Sequence, residues 1–153
     1  MKLRFLLALV VSTSAALSQK YDGPKPPKPD LPYLKHADTL LATEAVTAKT
    51  EKKKDEIIYI VEGANSLVKT PLAAPILLFE TAKINPESLQ LFQMESKNGR
   101  REVTVKPGSE PIRIELSKLG DTLSKIEPYN GLDPGEYVLV VSGSAQVFCF
   151  AVF

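Results

Sequence analysis

Alternation of apolar and polar positions is the strongest signal in this chain, and from Ile57 onward it predicts strands. Ile57-Ile58-Tyr59-Ile60-Val61 is a largely β-branched run that ends at Glu62-Gly63. Residues 75–81 carry Ile76, Leu77, Leu78 and Phe79. Residues 88–97 run into Asn98-Gly99, a strong short hairpin signal, and residues 100–106 return. Ile112, Ile114 and Leu116 alternate with Arg113, Glu115 and Ser117, as in a half-buried strand. A weaker strand is predicted at 123–129, and strands at 136–142 and 146–153 close the chain. The fold class that follows is all-β and antiparallel.

Two hairpins can be registered from the turn residues. With Asn98-Gly99 as the turn, Lys97 pairs Arg100, Met94 faces Val103 and Phe92 faces Val105. These apolar residues then share one face, and a one-residue slip would scramble it. In the same register Glu95 opposes Glu102, with Arg100 and Lys97 on the diagonals to offset the repulsion. With Gly143-Ser144 as the second turn, Tyr137 faces Phe150 and Leu139 faces Phe148, while Val138 faces Cys149 and Val140 faces Val147. Both faces of this hairpin are apolar, which calls for cover on both sides in the middle of the fold.

The N-terminal region is organised differently. Lys2 and Arg4 precede the apolar run 5–11, and small residues follow, with Ala16 and Ser18 before Gln19. This is the layout of a secretory signal peptide at 1–18, and the run is too short for the ~20 apolar residues of a membrane span. Removing it takes away Lys2 and Arg4 and no acid, so the formal charge passes from +1 to −1. Residues 19–37 form a Pro/Lys-rich extended segment, read as a polyproline spacer. The alternatives are a recognition segment flanked by Tyr21 and Tyr33 and docked by an aromatic groove, and packing of Leu31, Tyr33 and Leu34 onto the domain. The β domain is expected over 38–153. Within it, residues 38–55 carry both helical and strand signals, and the threonines favour a hairpin with Glu51-Lys52-Lys53-Lys54-Asp55-Glu56 as its charged turn.

Residues 132–140, Leu-Asp-Pro-Gly-Glu-Tyr-Val-Leu-Val, resemble the corner leading into a late strand of fibronectin-type and immunoglobulin-like sandwiches. The resemblance implies an immunoglobulin-like β-sandwich in which the Tyr137 hydroxyl bonds back to the backbone. It implies a fold and no activity.

Composition narrows the chemistry. The 44% hydrophobic content suits a folded domain, and the near-zero charge speaks against a nucleic-acid partner. One Cys and one His leave no disulfide framework and no metal site built from paired imidazoles or thiolates. No phosphate loop or nucleophile elbow is present. His36 is expected on the surface near the Pro-rich stretch. Cys149, between Phe148 and Phe150, is expected to be a buried structural thiol. Tyr21, Tyr33 and Tyr129 are the aromatics expected to be free. Site expectations are therefore structural: Tyr137, Cys149 and the turn residues Asn98 and Gly99, with no catalytic residue, cofactor or metal. The expected function is that of a secreted or periplasmic non-catalytic module. It would contact a protein or envelope component through the Pro/Lys spacer and the loops at 63–74 and 129–135, without a transmembrane helix. A small outer-membrane β-barrel is the alternative.

Overall fold

The computed structural model describes residues 20–153; the predicted signal peptide and its cleavage site lie outside these residues. The described chain is all-β apart from a single 3-10 turn at Pro86–Ser88. In order the strands are β1 (Tyr33–His36), β2 (Thr39–Ala42), β3 (Glu44–Thr47), β4 (Lys49–Lys53), β5 (Glu56–Glu62), β6 (Lys69–Thr70) and β7 (Ile76–Glu80). They continue as β8 (Leu89–Lys97), β9 (Arg100–Val105), β10 (Ile114–Lys118), β11 (Leu123–Pro128), β12 (Gly135–Val141) and β13 (Gln146–Val152).

Two sheets form. A five-stranded sheet has the order β10-β11-β7-β1-β2. The larger has the order β3-β13-β12-β8-β9-β5-β4, with the two-residue β6 added in parallel to β13. The ends of this larger sheet, β3 and β4, are the same stretch of chain, separated only by Ala48. Its first half pairs with β13 and its second half with β5. The sheet therefore curls into a ring joined through this stretch, with β3 and β4 each paired along one edge only.

Closure explains the two-sided hairpin. β12 and β13 pair in the predicted register, from Gly135↔Val152 to Val140↔Val147. Their Tyr137, Leu139, Phe148, Phe150 and Val152 face the five-stranded sheet and pack with Leu34, Leu77, Phe79 and Ile126. Their Val138, Val140, Val147 and Cys149 face the inside of the ring, where they meet Phe92, Met94, Tyr59 and Val61. Each face of one hairpin thus serves a separate core. The tight turn itself sits one residue earlier than expected, with the Ser144 N–H donating to the Val141 carbonyl; the ladder keeps its register.

The first hairpin agrees only in part. Asn98 and Gly99 both have positive φ (54° and 76°), as a two-residue hairpin turn of this kind demands. Lys97↔Arg100, Ser96↔Arg101 and Glu95↔Glu102 pair as expected. The ladder stops there. Phe92 pairs with Val138 on the other side, and Val105 pairs with Ile57. Beyond Glu95 the two strands follow different neighbours around the curved ring. The apolar face survives the divergence, because Phe92, Met94, Val103 and Val105 still point into one core.

Residues 38–55 are strands and not helix. β4 and β5 form a hairpin that turns at Lys54-Asp55, with Lys53 opposite Glu56. The N-terminal boundary needs correction. β1 lies between β7 and β2, with Leu34 buried, so the domain begins before residue 38. Leu31 packs on the same core, the Asp30 N–H donates to the Glu80 carbonyl, and the Thr81 hydroxyl donates to the Asp30 carboxylate. The segment after the prolines is thus anchored by Leu31, Tyr33 and Leu34, because one short apolar run is enough to fill a gap between paired strands. Among the described residues no helix is long and apolar enough to cross a membrane.

Candidate functional site

The densest group of buried charge lies at one end of the ring. Strand alternation puts Arg101 of β9 on the inward face with Val103 and Val105, and Glu136 of β12 with Val138 and Val140. Glu44 of β3 is in phase with Val46 and Ala48. Register brings these positions together: Glu44 opposes Cys149, and Val61, next to Glu62, opposes Arg101.

Arg101 is 1% exposed and is held almost entirely by the protein. Its Nη1 and Nη2 donate to the two Glu44 oxygens at 2.8 and 3.0 Å, a bidentate fork. Nε donates to the Gly63 carbonyl at 2.8 Å and Nη2 also to the Glu62 carbonyl at 3.0 Å. Gly63 has φ +91°, a conformation that glycine accepts without strain, and this turns its carbonyl toward the guanidinium. Glu136 stands 3.9 Å from Nη1. Burial works against the charged guanidinium, but the hydrogen bonds and charge of Glu44 outweigh it and raise the Arg101 pKa. The Arg101 hydrogen bonds hold the Glu44 carboxyl below its ordinary range, against a smaller opposing effect of burial.

Cys149 lies beside this cluster and is fully buried. Burial pushes its thiol up to about 12, with Arg101 opposing and Glu44 and Glu136 adding to the rise. The thiolate, which is the nucleophile, is therefore scarce at neutral pH. We expect Cys149 in the folded protein to resist an alkylating thiol reagent and to react at the ordinary rate once denatured. Fast alkylation under native conditions would contradict the assignment.

The other singled-out residues fall as follows. Tyr137 is 2% exposed, stacks on Phe150 with ring centroids 5.8 Å apart, and donates from its hydroxyl to the Asp133 carbonyl at 2.6 Å. Asn98 and Gly99 are exposed turn residues, and the Gly99 carbonyl accepts from the Gly63 N–H. His36, expected on the surface, is on β1 and half-buried, with Nε2 3.0 Å from the Thr70 hydroxyl. Tyr33, expected to be free, is buried at 5% exposure. Tyr129 is half-exposed under the Arg113 guanidinium, which sits 3.9 Å from its ring centroid. The two loops read as contact surfaces meet each other, because the Leu132 N–H donates to the Ala73 carbonyl.

Sequence reasoning missed Arg101, Glu44 and Glu136. The signal was available: each is a charged residue in the apolar phase of an alternating strand, one step past the last apolar position. No protein-family model, curated protein or solved structure matches this chain.

Proposed function

We propose that the chain is an exported, non-catalytic immunoglobulin-like β-sandwich that serves as a binding or structural module of the cell envelope or extracellular space. One observation carries the functional part: the sole cysteine and the buried arginine are both used up inside. Cys149 is buried with its thiol held protonated, and Arg101 is saturated by Glu44 and two backbone carbonyls. Surface loops on a rigid framework are then the groups free to make contacts.

Strand order supports the immunoglobulin-like reading. That fold has strands A-B-E-D in one sheet and C-F-G in the other, with the corner tyrosine near the start of strand F. Taking β1, β7, β11 and β10 as A, B, E and D reproduces the order of the five-stranded sheet without β2. Taking β8, β12 and β13 as C, F and G reproduces the centre of the second sheet. Tyr137 then occupies the corner position and makes its backbone hydrogen bond. The segment from β2 to β6 is an insertion between A and B, and it closes the ring. The outer-membrane barrel reading fits less well. Such a barrel has an apolar outside and a polar inside, whereas this ring is filled by Phe92, Met94, Val138 and Val147.

Two measurements test the proposal. Mass spectrometry of the exported product should find an N-terminus near Gln19; an exported protein that keeps Met1 would refute the signal peptide. Purified protein should show no turnover across a hydrolase substrate panel. Robust turnover abolished by one point substitution would overturn the non-catalytic reading.

A further inference from the structure

We propose that the mouth of the ring binds a primary ammonium group carried by a small zwitterion, either a free amino acid or the amino end of a peptide. The inference deepens the binding-module reading and rests on it. Beside the Arg101 cluster a cleft of about 340 Å³ opens to solvent. Its floor is the inward face of three neighbouring strands, since Glu136 pairs with Met94 on one side and with Ala151 on the other. Its rim includes Asn65, Lys69, Ser96 and Phe153. Barrel mouths are a recurrent position for small-ligand sites, because closure leaves an end that the strands cannot cover.

Glu136 gives the cleft its chemistry. It is 9% exposed, yet both of its oxygens share one backbone donor, the Ser66 N–H, at 3.2 and 3.1 Å. Arg101 is 3.9 Å away and already engaged by Glu44 and the two carbonyls. An ionised carboxylate offers about four acceptor sites, and a buried one is costly when they go unused. Counting Arg101 against Glu44 and Glu136, the buried trio carries one surplus negative charge; Glu136 is its member in the cleft lining, with Lys69 the one cation among the lining residues.

That combination selects the ligand. An ammonium supplies three donors and the missing positive charge. An anion alone would meet Glu136 and be repelled. A hard cation such as calcium takes six to eight oxygen ligands, and Glu136 supplies the sole side-chain carboxylate among the described lining residues. Lys69 on the rim offers a counter-charge for a carboxylate, which a free amino acid holds close to its ammonium. The two-thirds-exposed Phe153 gives an apolar side chain a surface to cover.

The test is an NMR titration of the protein from residue 19 onward with leucine, leucinamide, the dipeptide Leu-Leu and N-acetyl-leucine. Saturable shifts of the Ser66, Glu136 and Ala151 amides are expected with leucine or the dipeptide. N-acetyl-leucine should produce none, because its nitrogen is neither charged nor a triple donor. Glu136→Gln should weaken binding by about tenfold or more. Lys69→Ala should weaken leucine and leave leucinamide unchanged. Tighter binding of the dipeptide identifies a peptide end as the ligand; tighter binding of leucine identifies the free amino acid. Equal binding of N-acetyl-leucine, or no saturable shift with either ammonium ligand, overturns the proposal. The comparison among ligands uses the unmodified protein, so it stands even if Glu136→Gln unfolds. A negative titration leaves the export and turnover measurements untouched, so failure of this site and failure of the module reading remain distinct.

Discussion

Arg101→Ala is expected to lower the melting temperature by roughly 10–20 °C. The side chain is 1% exposed and serves as common partner to Glu44, Glu136 and the carbonyls of Glu62 and Gly63. Its loss leaves these acceptors facing each other at the end of an apolar core. Removing one partner of a buried ion pair typically costs about 3–5 kcal/mol. Lysine should recover little, because one ammonium cannot reproduce a bidentate fork that also reaches two carbonyls. A neutral replacement of the whole group, Arg101→Met with Glu44→Leu and Glu136→Gln, should recover more than lysine does. Acid titration gives an independent reading. Glu44 has a folded pKa below its ordinary 4.5, so its contribution is full above that value and is lost as pH falls through the folded pKa. The wild type should therefore lose stability below about pH 4.5 more steeply than Arg101→Ala does. Thermal melts of both proteins between pH 3 and pH 7 would check this; parallel curves would mean that the pair does not couple to folding.

How much was legible in the residues depends on the range of the interaction that fixes each element. Apart from the two-residue β6, which lies in the stretch read as the 63–74 loop, the strands from Glu56 to the end were readable because their signals are local: β-branched runs, alternation and turn residues. The final hairpin was readable to its register from its turn residues; its two apolar faces would by themselves tolerate a slip. β1 to β4 were harder. They are four or five residues long and rich in Thr, Lys and Glu, and they become strands because other strands supply their partners. Ring closure depends on one stretch of chain pairing with β13 on one side of Ala48 and with β5 on the other, and both partners are distant or curved away. No local pattern encodes that. The charged cluster lies between these cases. Alternation alone predicts that Arg101, Glu44 and Glu136 face inward, but only the strand order places them at the same end.

Tyr137→Ala is the second large expected effect, at about 3–5 kcal/mol, the usual cost of deleting a buried aromatic. The ring lies in the core between the two sheets and stacks on Phe150 at an interplanar angle of 20°. The same residue ties the 129–135 loop to β12 through its hydroxyl, which donates to the Asp133 carbonyl at 2.6 Å. The two contributions can be separated. Tyr137→Phe keeps the ring and the stacking and removes one hydrogen bond, for a cost of about 1 kcal/mol and a few degrees in melting temperature. Alkaline pH offers a further check. Burial first, and then the charge of Asp133, raises the Tyr137 pKa above 10.0. A raised phenol pKa gives stability that is full below the unfolded value and is lost as pH rises through the folded one. Wild type and Tyr137→Phe should therefore converge in melting temperature above pH 10, where the hydroxyl no longer favours the folded state. If the phenylalanine variant melts as low as the alanine variant, the hydrogen bond to Asp133 and not the packed ring holds this corner together.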